Sequence, residues 1–325
     1  NFKTDNKKTY IIAQGDFFDL SHLKNNLRKQ IFLKKKKINF DLLSPKIKID
    51  RKLFVSGNYR GELELNKIVS IADGKMLLGD KSILDEGEIK INGENNNFVL
   101  IGYGHLGGAN TKITIKSLEN KLPQLYFDTQ DGGKLLNALN FTDKIKSGAM
   151  VLEIDFLDEE LSTYSGKIKA KKFSIIKAPG IVKSLSSLSF SGINSLFVGQ
   201  GVKFESGLAS FLNKNDEMIF KKILITNDTV SIFLNGTYYE INNNVDFTGS
   251  IAPMKLVSKL VSVVPAIGEL LTGLDKKGLF MGQFKLSGDV ENPEIDINEM
   301  SFAPGILREI FSKDWIKEKN IQLNK

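Results

Sequence analysis

The chain has 325 residues, of which 41% are hydrophobic and 26% charged, and its formal net charge is +7. This composition is too apolar for a disordered protein, and the length allows one extended architecture or two domains. Because cysteine is absent, disulfides, thiolate nucleophiles and cysteine-ligated metals are excluded.

The N-terminal region opens at Asn1 without a charged and then apolar leader. We therefore expect a piece of a longer protein whose targeting or anchoring segment lies upstream. Lysine is spread along the chain, and the one dense run is Lys34–Lys37. This run lacks the interleaved aromatic residues of a single-strand binder, so we expect a solvated loop or a contact with lipid headgroups and no nucleic-acid partner.

The dominant pattern is the alternation of apolar and polar residues, which places apolar side chains on one face of a strand. Glycine or Asn/Asp clusters end most of these segments, as turns between antiparallel strands require. The alternating apolar positions include Ile47, Ile49, Leu63, Leu65, Ile89, Ile91, Ile113, Ile115, Leu152, Ile154, Phe156, Ile168, Val230, Ile232, Leu234, Val245, Phe247, Phe280, Phe284 and Leu286.

Strands of this kind are typical of a sandwich or barrel with one buried face. An open sheet curled into a trough has the same alternation, since its inner face is apolar whether it meets side chains or lipid tails. The periodicity does not separate these architectures.

A glycine-rich segment, Gly102–Gly107, matches the spacing of a dinucleotide-binding loop. That loop requires a following helix, whereas Thr111–Ile115 has the alternation of a strand. We therefore predict a glycine-rich hairpin. His105 lies in it, and neither His105 nor His22 has a partner at metal-ligand spacing, so no metal or cofactor site is expected.

Helical periodicity is limited to a few segments. Residues 131–141 form a short amphipathic candidate, and residues 251–274 carry apolar residues at helical spacing. Lys255, Lys259 and Glu269 interrupt the second segment, and Pro265 would kink it. An amphipathic helix pair packed on the sheet is therefore favoured over a membrane span. An Ala-Pro-Gly-Ile repeat at 178–181 and 303–306 predicts a further helix after each of two strand sets.

Catalytic motifs are not apparent in this sequence. No serine lies in a Gly-x-Ser-x-Gly elbow, and the carboxylates Asp158, Glu159 and Glu160 fall in a polar turn where solvation is the default. The sequence therefore favours a non-enzymatic protein. An enzyme would need a pocket that gathers His22 or His105 with carboxylates.

The second half contains an ordered series of short, glycine- and proline-marked segments. In chain order they are Asp131–Leu136, Ser147–Gly148, Ala178–Gly180, Ser189–Ile193, Gly201–Phe204, Gly249–Pro253, Val264–Gly273, Gly278–Phe280, Leu286–Gly288, Asn292–Pro293 and Phe302–Phe311. This series resembles the C-terminal region of AsmA-like proteins, in particular the YhdP-type branch of Gram-negative bacteria. The resemblance covers residues 126 to 313, while residues 1–125 share only the β-rich texture. One departure is at Asn298–Ser301, where the family's proline is missing.

This resemblance implies a mainly β fold: a long antiparallel sheet curled into an open apolar groove, with helices near the C-terminal end. Residues 1–125 would be a β-rich groove segment. Residues 126–325 would add groove strands and capping helices at 178–189, 252–274 and 304–313. The expected groove lining is Leu152, Ile154, Phe156, Val230, Ile232, Leu234, Val245, Phe247, Phe280, Phe284 and Leu286, and the expected membrane or partner contacts are Leu256, Leu260, Val263, Ile267 and Leu270.

The implied function is transport of phospholipid between inner and outer membranes, without bond chemistry, which supports outer-membrane integrity. The implied partners are phospholipid acyl chains, the inner membrane through an upstream anchor, and outer-membrane or periplasmic proteins. The location would be the periplasm. The alternative is a structural scaffold that binds protein partners during outer-membrane protein assembly.

Overall fold

The computed structural model describes residues 2–5, 8–20, 37–63, 67–94, 97–118, 121–176, 197–198, 201–253 and 282–298. These residues form β-strands joined by short turns, with one short helix among them. The prediction of a mainly β protein is confirmed.

The first of two compact units comprises residues 1–143 and 149–166. The predicted boundary between residues 125 and 126 falls inside one of its strands, and hence within this unit. Its elements are β1 (Phe2–Asp5), β2 (Lys8–Gln14), β3 (Phe18–Asp19), β4 (Lys37–Asp50), β5 (Leu53–Leu63), β6 (Lys67–Leu78), β7 (Lys81–Glu94), β8 (Asn97–Leu106), β9 (Ala109–Ser117), β10 (Gln124–Thr129), helix α1 (Gly132–Ala138) and β12 (Ala149–Phe156).

The second unit comprises residues 144–148 and 167–325. Its strands are β11 (Ile145–Lys146), β13 (Tyr164–Ile176, which begins in the first unit), β14 (Phe197–Val198), β15 (Gly201–Lys214), β16 (Glu217–Thr226), β17 (Val230–Tyr239), β18 (Asn244–Pro253), β19 (Gly282–Asp289) and β20 (Glu294–Asn298). From β15 to β20 each strand pairs antiparallel with the next, as alternation between turn residues predicts.

Strand pairing in the first unit departs from the prediction at its N-terminal end. From β4 to β10 each strand pairs antiparallel with the next, but β2 and β3 both pair parallel with β4. A parallel pair needs a connection of about a dozen residues or more, which the chain between β2 and β4 supplies. The sheet is therefore mixed.

One face of the first unit's sheet is buried and the other faces water. In β7, Ile89 and Ile91 are 0% and 2% exposed, whereas the intervening Lys90 is exposed. The strand register places Ile89 beside Ala72 of β6 and Gly102 of β8 on the same face. In this strand the apolar positions of the alternating sequence are therefore buried, and the polar position between them is exposed.

A buried hydrogen bond lies within this face. Tyr59 is 1% exposed, and its phenolic oxygen accepts a hydrogen bond of 2.8 Å from the Ser70 hydroxyl. The Tyr59 ring stacks on Phe40 with centroids 5.1 Å apart. Burial raises the pKa of Tyr59 to about 12, because the phenolate would lose its hydration, and the Ser70 hydrogen bond opposes this shift.

We expect this tyrosine to make the fold sensitive to alkali. Between the unfolded pKa of 10.0 and the folded pKa of about 12, the unfolded chain has released the phenolic proton and the folded chain has kept it. Stability from this group is therefore complete below pH 10 and is lost as pH rises towards 12. Near pH 11.5 the loss is about 2 kcal/mol.

The Tyr59→Phe variant should lack this loss. Its free energy of unfolding in urea, measured near pH 9 and near pH 11.5, should fall by about 2 kcal/mol less than that of the wild type. Tyr103→Phe is the matched control, since Tyr103 is 50% exposed. An identical alkaline loss in all three proteins would refute the prediction.

The glycine-rich segment forms the β8–β9 hairpin. Leu106 pairs with Ala109, and Gly107 and Gly108 between them have φ angles of 57° and 77°. A two-residue turn with both φ angles positive favours glycine, since it has no Cβ. A strand follows, not a helix, so the hairpin prediction is confirmed.

Helix α1 confirms the candidate at 131–141. The Asp131 side chain caps it by accepting a hydrogen bond of 3.1 Å from the backbone nitrogen of Lys134, and Leu135 and Leu136 are buried. The predicted helices 178–189 and 304–313 lie outside the described residues. In the predicted helix 252–274, residues 252 and 253 belong instead to strand β18. Residues 254–274 lie outside the described residues.

Candidate functional site

Seven of the predicted lining residues lie on one face of β17, β18 and β19 in the second unit. Because directly paired residues point to the same side of a sheet, the register decides this. Leu234 pairs with Gly249, which pairs with Phe284, and Phe247 pairs with Leu286. The full set, here called the apolar face, is Val230, Ile232, Leu234, Val245, Phe247, Phe284 and Leu286.

Burial of the apolar face is uneven. Val230 and Ile232 are 0% exposed, so a packed layer covers them. Leu234 and Leu286 are half-buried and accessible in part. The pairings add further half-buried apolar side chains to the same face: Phe220 and Ile223 of β16, and Ile295 and Ile297 of β20.

Gly249 explains how bulky side chains come together on this face. A Cβ at Gly249 would lie 2.4 Å from Phe284 Cζ and 2.8 Å from Leu234 Cδ2. The missing side chain therefore lets the phenylalanine and the leucine meet above β18. Phe220 continues the packing, with its ring centroid 5.8 Å from that of Phe247. These side chains form an apolar cluster that extends across β16, β17, β18 and β19.

Three of the four other predicted lining residues belong to the first unit. Leu152, Ile154 and Phe156 of β12 are 0%, 8% and 6% exposed. Leu152 pairs with Phe127, and Ile154 pairs with Leu125. They form part of a closely packed interior.

A small apolar void adjoins that interior. It is lined in part by Leu53, Phe98 and Leu125, and it measures about 10 Å³. That volume holds about one water molecule. It is much too small for a lipid tail, so this part of the first unit is filled by its own side chains.

The remaining predicted positions cannot be placed on a face. Phe280 lies outside the described residues, as do the predicted membrane or partner contacts Leu256, Leu260, Val263, Ile267 and Leu270.

An open polar concavity lies on the water-facing side of the first unit, and no motif in the sequence indicates it. It measures about 530 Å³ and gathers His105 with Glu86, Asp128 and Lys112. A bulge in β7 contributes, because Glu86 adopts a left-handed φ of 48° and the register with β8 shifts between Asp85 and Glu88. Spacing along the chain could not reveal this grouping, since separate strands supply it.

The concavity offers hydrogen-bonding groups and an aromatic ring to a polar solute. Tyr103 is 50% exposed, and Lys112 Nζ lies 5.6 Å from its ring centroid. His105, Glu86 and Asp128 are all exposed. Exposed groups keep their hydration, whereas the pKa of an acid or base catalyst is usually shifted by burial or by close charged partners.

The carboxylates at 158–160 serve the turn between β12 and β13. Asp158 accepts hydrogen bonds from the backbone nitrogens of Thr163 and Ser162, at 2.5 Å and 2.8 Å. Hydrogen bonds from Thr163, and to a smaller extent from Ser162, hold the pKa of Asp158 well below its usual range because they stabilise the charged form. Glu159 forms an ion pair of 3.0 Å with Arg51.

Metal-binding clusters and membrane-spanning helices are not found in the described part of the chain. Within the described ranges, no group of three or more histidine and acidic side chains is arranged to hold a metal ion. Over the same residues, no helix combines the length and apolar composition needed to cross a bilayer.

No protein-family model, no curated protein and no solved structure matches this sequence.

Proposed function

We propose that this chain binds phospholipid acyl chains on the apolar face of its second unit and moves them between inner and outer membranes without bond chemistry. The observation that carries the proposal is that seven residues, selected from the sequence alone, share one face that is still accessible in part. The AsmA-like resemblance supports the same function. On this proposal the protein works in the periplasm.

The energetics favour such a surface as a lipid carrier. Each methylene group that leaves water contributes about 0.8 kcal/mol, so a whole acyl chain in water faces a large barrier. The half-buried side chains Leu234 and Leu286 offer contact to hydrocarbon at the accessible part of the face. Hydrophobic contact is not directional, so a lipid tail can slide along this surface while it stays shielded from water.

The test is phospholipid retention by the purified chain. Leu234→Asp and Leu286→Asp, combined, place two charges on the accessible part of the face. We expect phospholipid recovered by solvent extraction and mass spectrometry to fall at least about tenfold, since a charge beside hydrocarbon must be desolvated. Circular dichroism checks that the double variant is folded.

A matched control lies elsewhere in the same unit. Leu208 of β15 is 38% exposed. It pairs with Leu224 of β16 and therefore does not share a side with the apolar face. Leu208→Asp should leave lipid recovery unchanged. Absence of phospholipid from the wild type, or equal recovery from all three proteins, would overturn the proposal.

The second candidate function is a scaffold that binds protein partners during outer-membrane protein assembly. The packed interior of the first unit favours it, because Leu152 is 0% exposed and the adjoining void measures about 10 Å³. A scaffold would retain no lipid and would be insensitive to the Leu234→Asp and Leu286→Asp pair. The same extraction experiment therefore separates the two candidates.

A further inference from the structure

Strand β13 carries a row of exposed lysines on one face. Lys167, Lys169 and Lys171 alternate with Ile168, which is half-buried, and Ala170, which is buried. Alternate residues of a strand point to the same side and lie about 6.6 Å apart. The three ammonium groups therefore follow one line along the sheet surface.

The backbone at Lys172 adds a fourth lysine to that line. Lys172 adopts a left-handed φ of 53°, which is uncommon and strained for a long side chain. Because the alternation breaks here, Lys171 and Lys172 are both exposed and Phe173 is buried. Strain of this kind is retained where the surroundings or the function require it.

Neighbouring strands extend the basic surface. Lys146 of β11 pairs with Ser174, two positions from Lys172 on the same side. Phe204 of β15 stacks on Phe173 at 5.7 Å on the opposite face, which leaves Lys203 on the lysine side. The lysine face is defined as Lys146, Lys167, Lys169, Lys171, Lys172 and Lys203.

The lysine face differs from four lysines of the first unit that are neutralised by neighbouring carboxylates. Lys46, Lys75, Lys90 and Lys134 form ion pairs with Asp80, Asp85, Glu88 and Asp131 at 3.4, 3.5, 2.6 and 3.6 Å. In the part of the chain that the structure describes, none of the six lysines of the lysine face has a carboxylate partner. Glu205, two residues from Lys203 on the same side of β15, is an exposed carboxylate of this surface.

We infer that the lysine face docks the second unit onto a negatively charged phospholipid surface. Six unneutralised cations on adjoining strands complement anionic headgroups, and each lysine close to such a membrane strengthens binding by about fivefold. Nucleic acid is disfavoured, because single-strand binders offer aromatic rings for base stacking. Of the aromatic residues on these strands, Phe173, Phe204 and Phe211 are buried and Tyr164 is half-buried. This inference does not depend on acyl-chain binding at the apolar face.

The experiment uses the 325-residue chain and co-sedimentation with vesicles. One vesicle set contains phosphatidylcholine with phosphatidylglycerol, and the other contains phosphatidylcholine alone. The test variant combines Lys167→Gln, Lys169→Gln, Lys171→Gln and Lys172→Asn. Asparagine is chosen at Lys172 because it tolerates the left-handed backbone.

We expect the wild type to bind the anionic vesicles, to bind the neutral ones weakly, and to be released by high salt. The four substitutions should weaken binding to anionic vesicles at least about 50-fold. The control replaces Lys46, Lys75, Lys90 and Lys134 by glutamine, which removes the same charge, and it should bind as the wild type does. Thermal unfolding monitors the fold of both variants.

Three outcomes would overturn the inference. The first is equal binding to anionic and neutral vesicles, and the second is an equal loss in test and control variants. The third is tight binding of a single-stranded oligonucleotide that the test variant abolishes and that vesicles do not compete away. That result would assign the lysine face to nucleic acid.

Discussion

The Ile232→Asp substitution is expected to remove most of the folding free energy of the second unit. Ile232 is 0% exposed and lies between Ile225 of β16 and Ile251 of β18, its partners in the register. A carboxylate at this position would lose its hydration without gaining a cation, which is among the most damaging core changes. We expect a loss of about 5 kcal/mol.

Two matched substitutions make this result interpretable. Ile241→Asp introduces the same carboxylate at a residue that is 84% exposed, and it should change stability by less than about 0.5 kcal/mol. Ile232→Val keeps the site apolar and should cost about 1 kcal/mol. Urea unfolding followed by circular dichroism measures all three.

The opposite outcome would change the description of the apolar face. If Ile232→Asp folded with wild-type stability and lost only lipid, the face would be open at Ile232, as in a conduit that continues past Leu234. We expect the packed result, because Val230 beside it is also 0% exposed. Lipid contact is accordingly assigned to Leu234 and Leu286, whose side chains are half-buried.

The Gly57→Ala variant is expected to destabilise the first unit by about 4 kcal/mol. Gly57 has φ +98°, and a Cβ there would lie 1.9 Å from the backbone oxygen of Asp73 on β6. The obstacle is backbone rather than a flexible side chain, so β5 and β6 would have to separate. Gly74 on β6 is restricted in the same way, since a Cβ there would lie 2.0 Å from the backbone oxygen of Ser56 on β5.

Gly79 provides the control for the backbone conformation alone. It has φ +63°, and a Cβ added there would meet no heavy atom within 4 Å, so Gly79→Ala carries the left-handed strain without a clash. We expect a cost of about 1 kcal/mol. If Gly57→Ala were no worse than Gly79→Ala, the close approach of β5 and β6 at Gly57 would be refuted. Thermal and urea unfolding both report the difference.

Local sequence signals were sufficient for the elements whose stability is local. The glycine-rich segment Gly102–Gly107, followed by the alternation of a strand, predicted a hairpin, and the hairpin is present with its turn at Gly107 and Gly108. The helix that begins after Asp131 follows from a capping side chain and buried leucines within a few residues. Alternation likewise placed Ile89, Ile113 and Leu152 on the apolar side of their strands, and all three are buried.

Features that join distant segments were not predictable from one sequence. The parallel pairing of β2 with β4 depends on where the chain returns after a long connection, and alternation is the same for parallel and antiparallel partners. The concavity around His105 draws residues from separate strands, so no spacing along the chain encodes it. The exposure of Lys172 follows from a left-handed backbone that residue type disfavours.

By itself, the sequence determined that this protein is built of half-buried strands and which side chains share a face, since both follow from a period of two along each strand. Only the tertiary structure decided how those faces are covered. Ile232 and Leu234 have the same sequence signature, yet one is fully buried and the other half-buried, because burial depends on what packs against a face. That difference selects Leu234 and Leu286 as the positions at which lipid binding is to be tested.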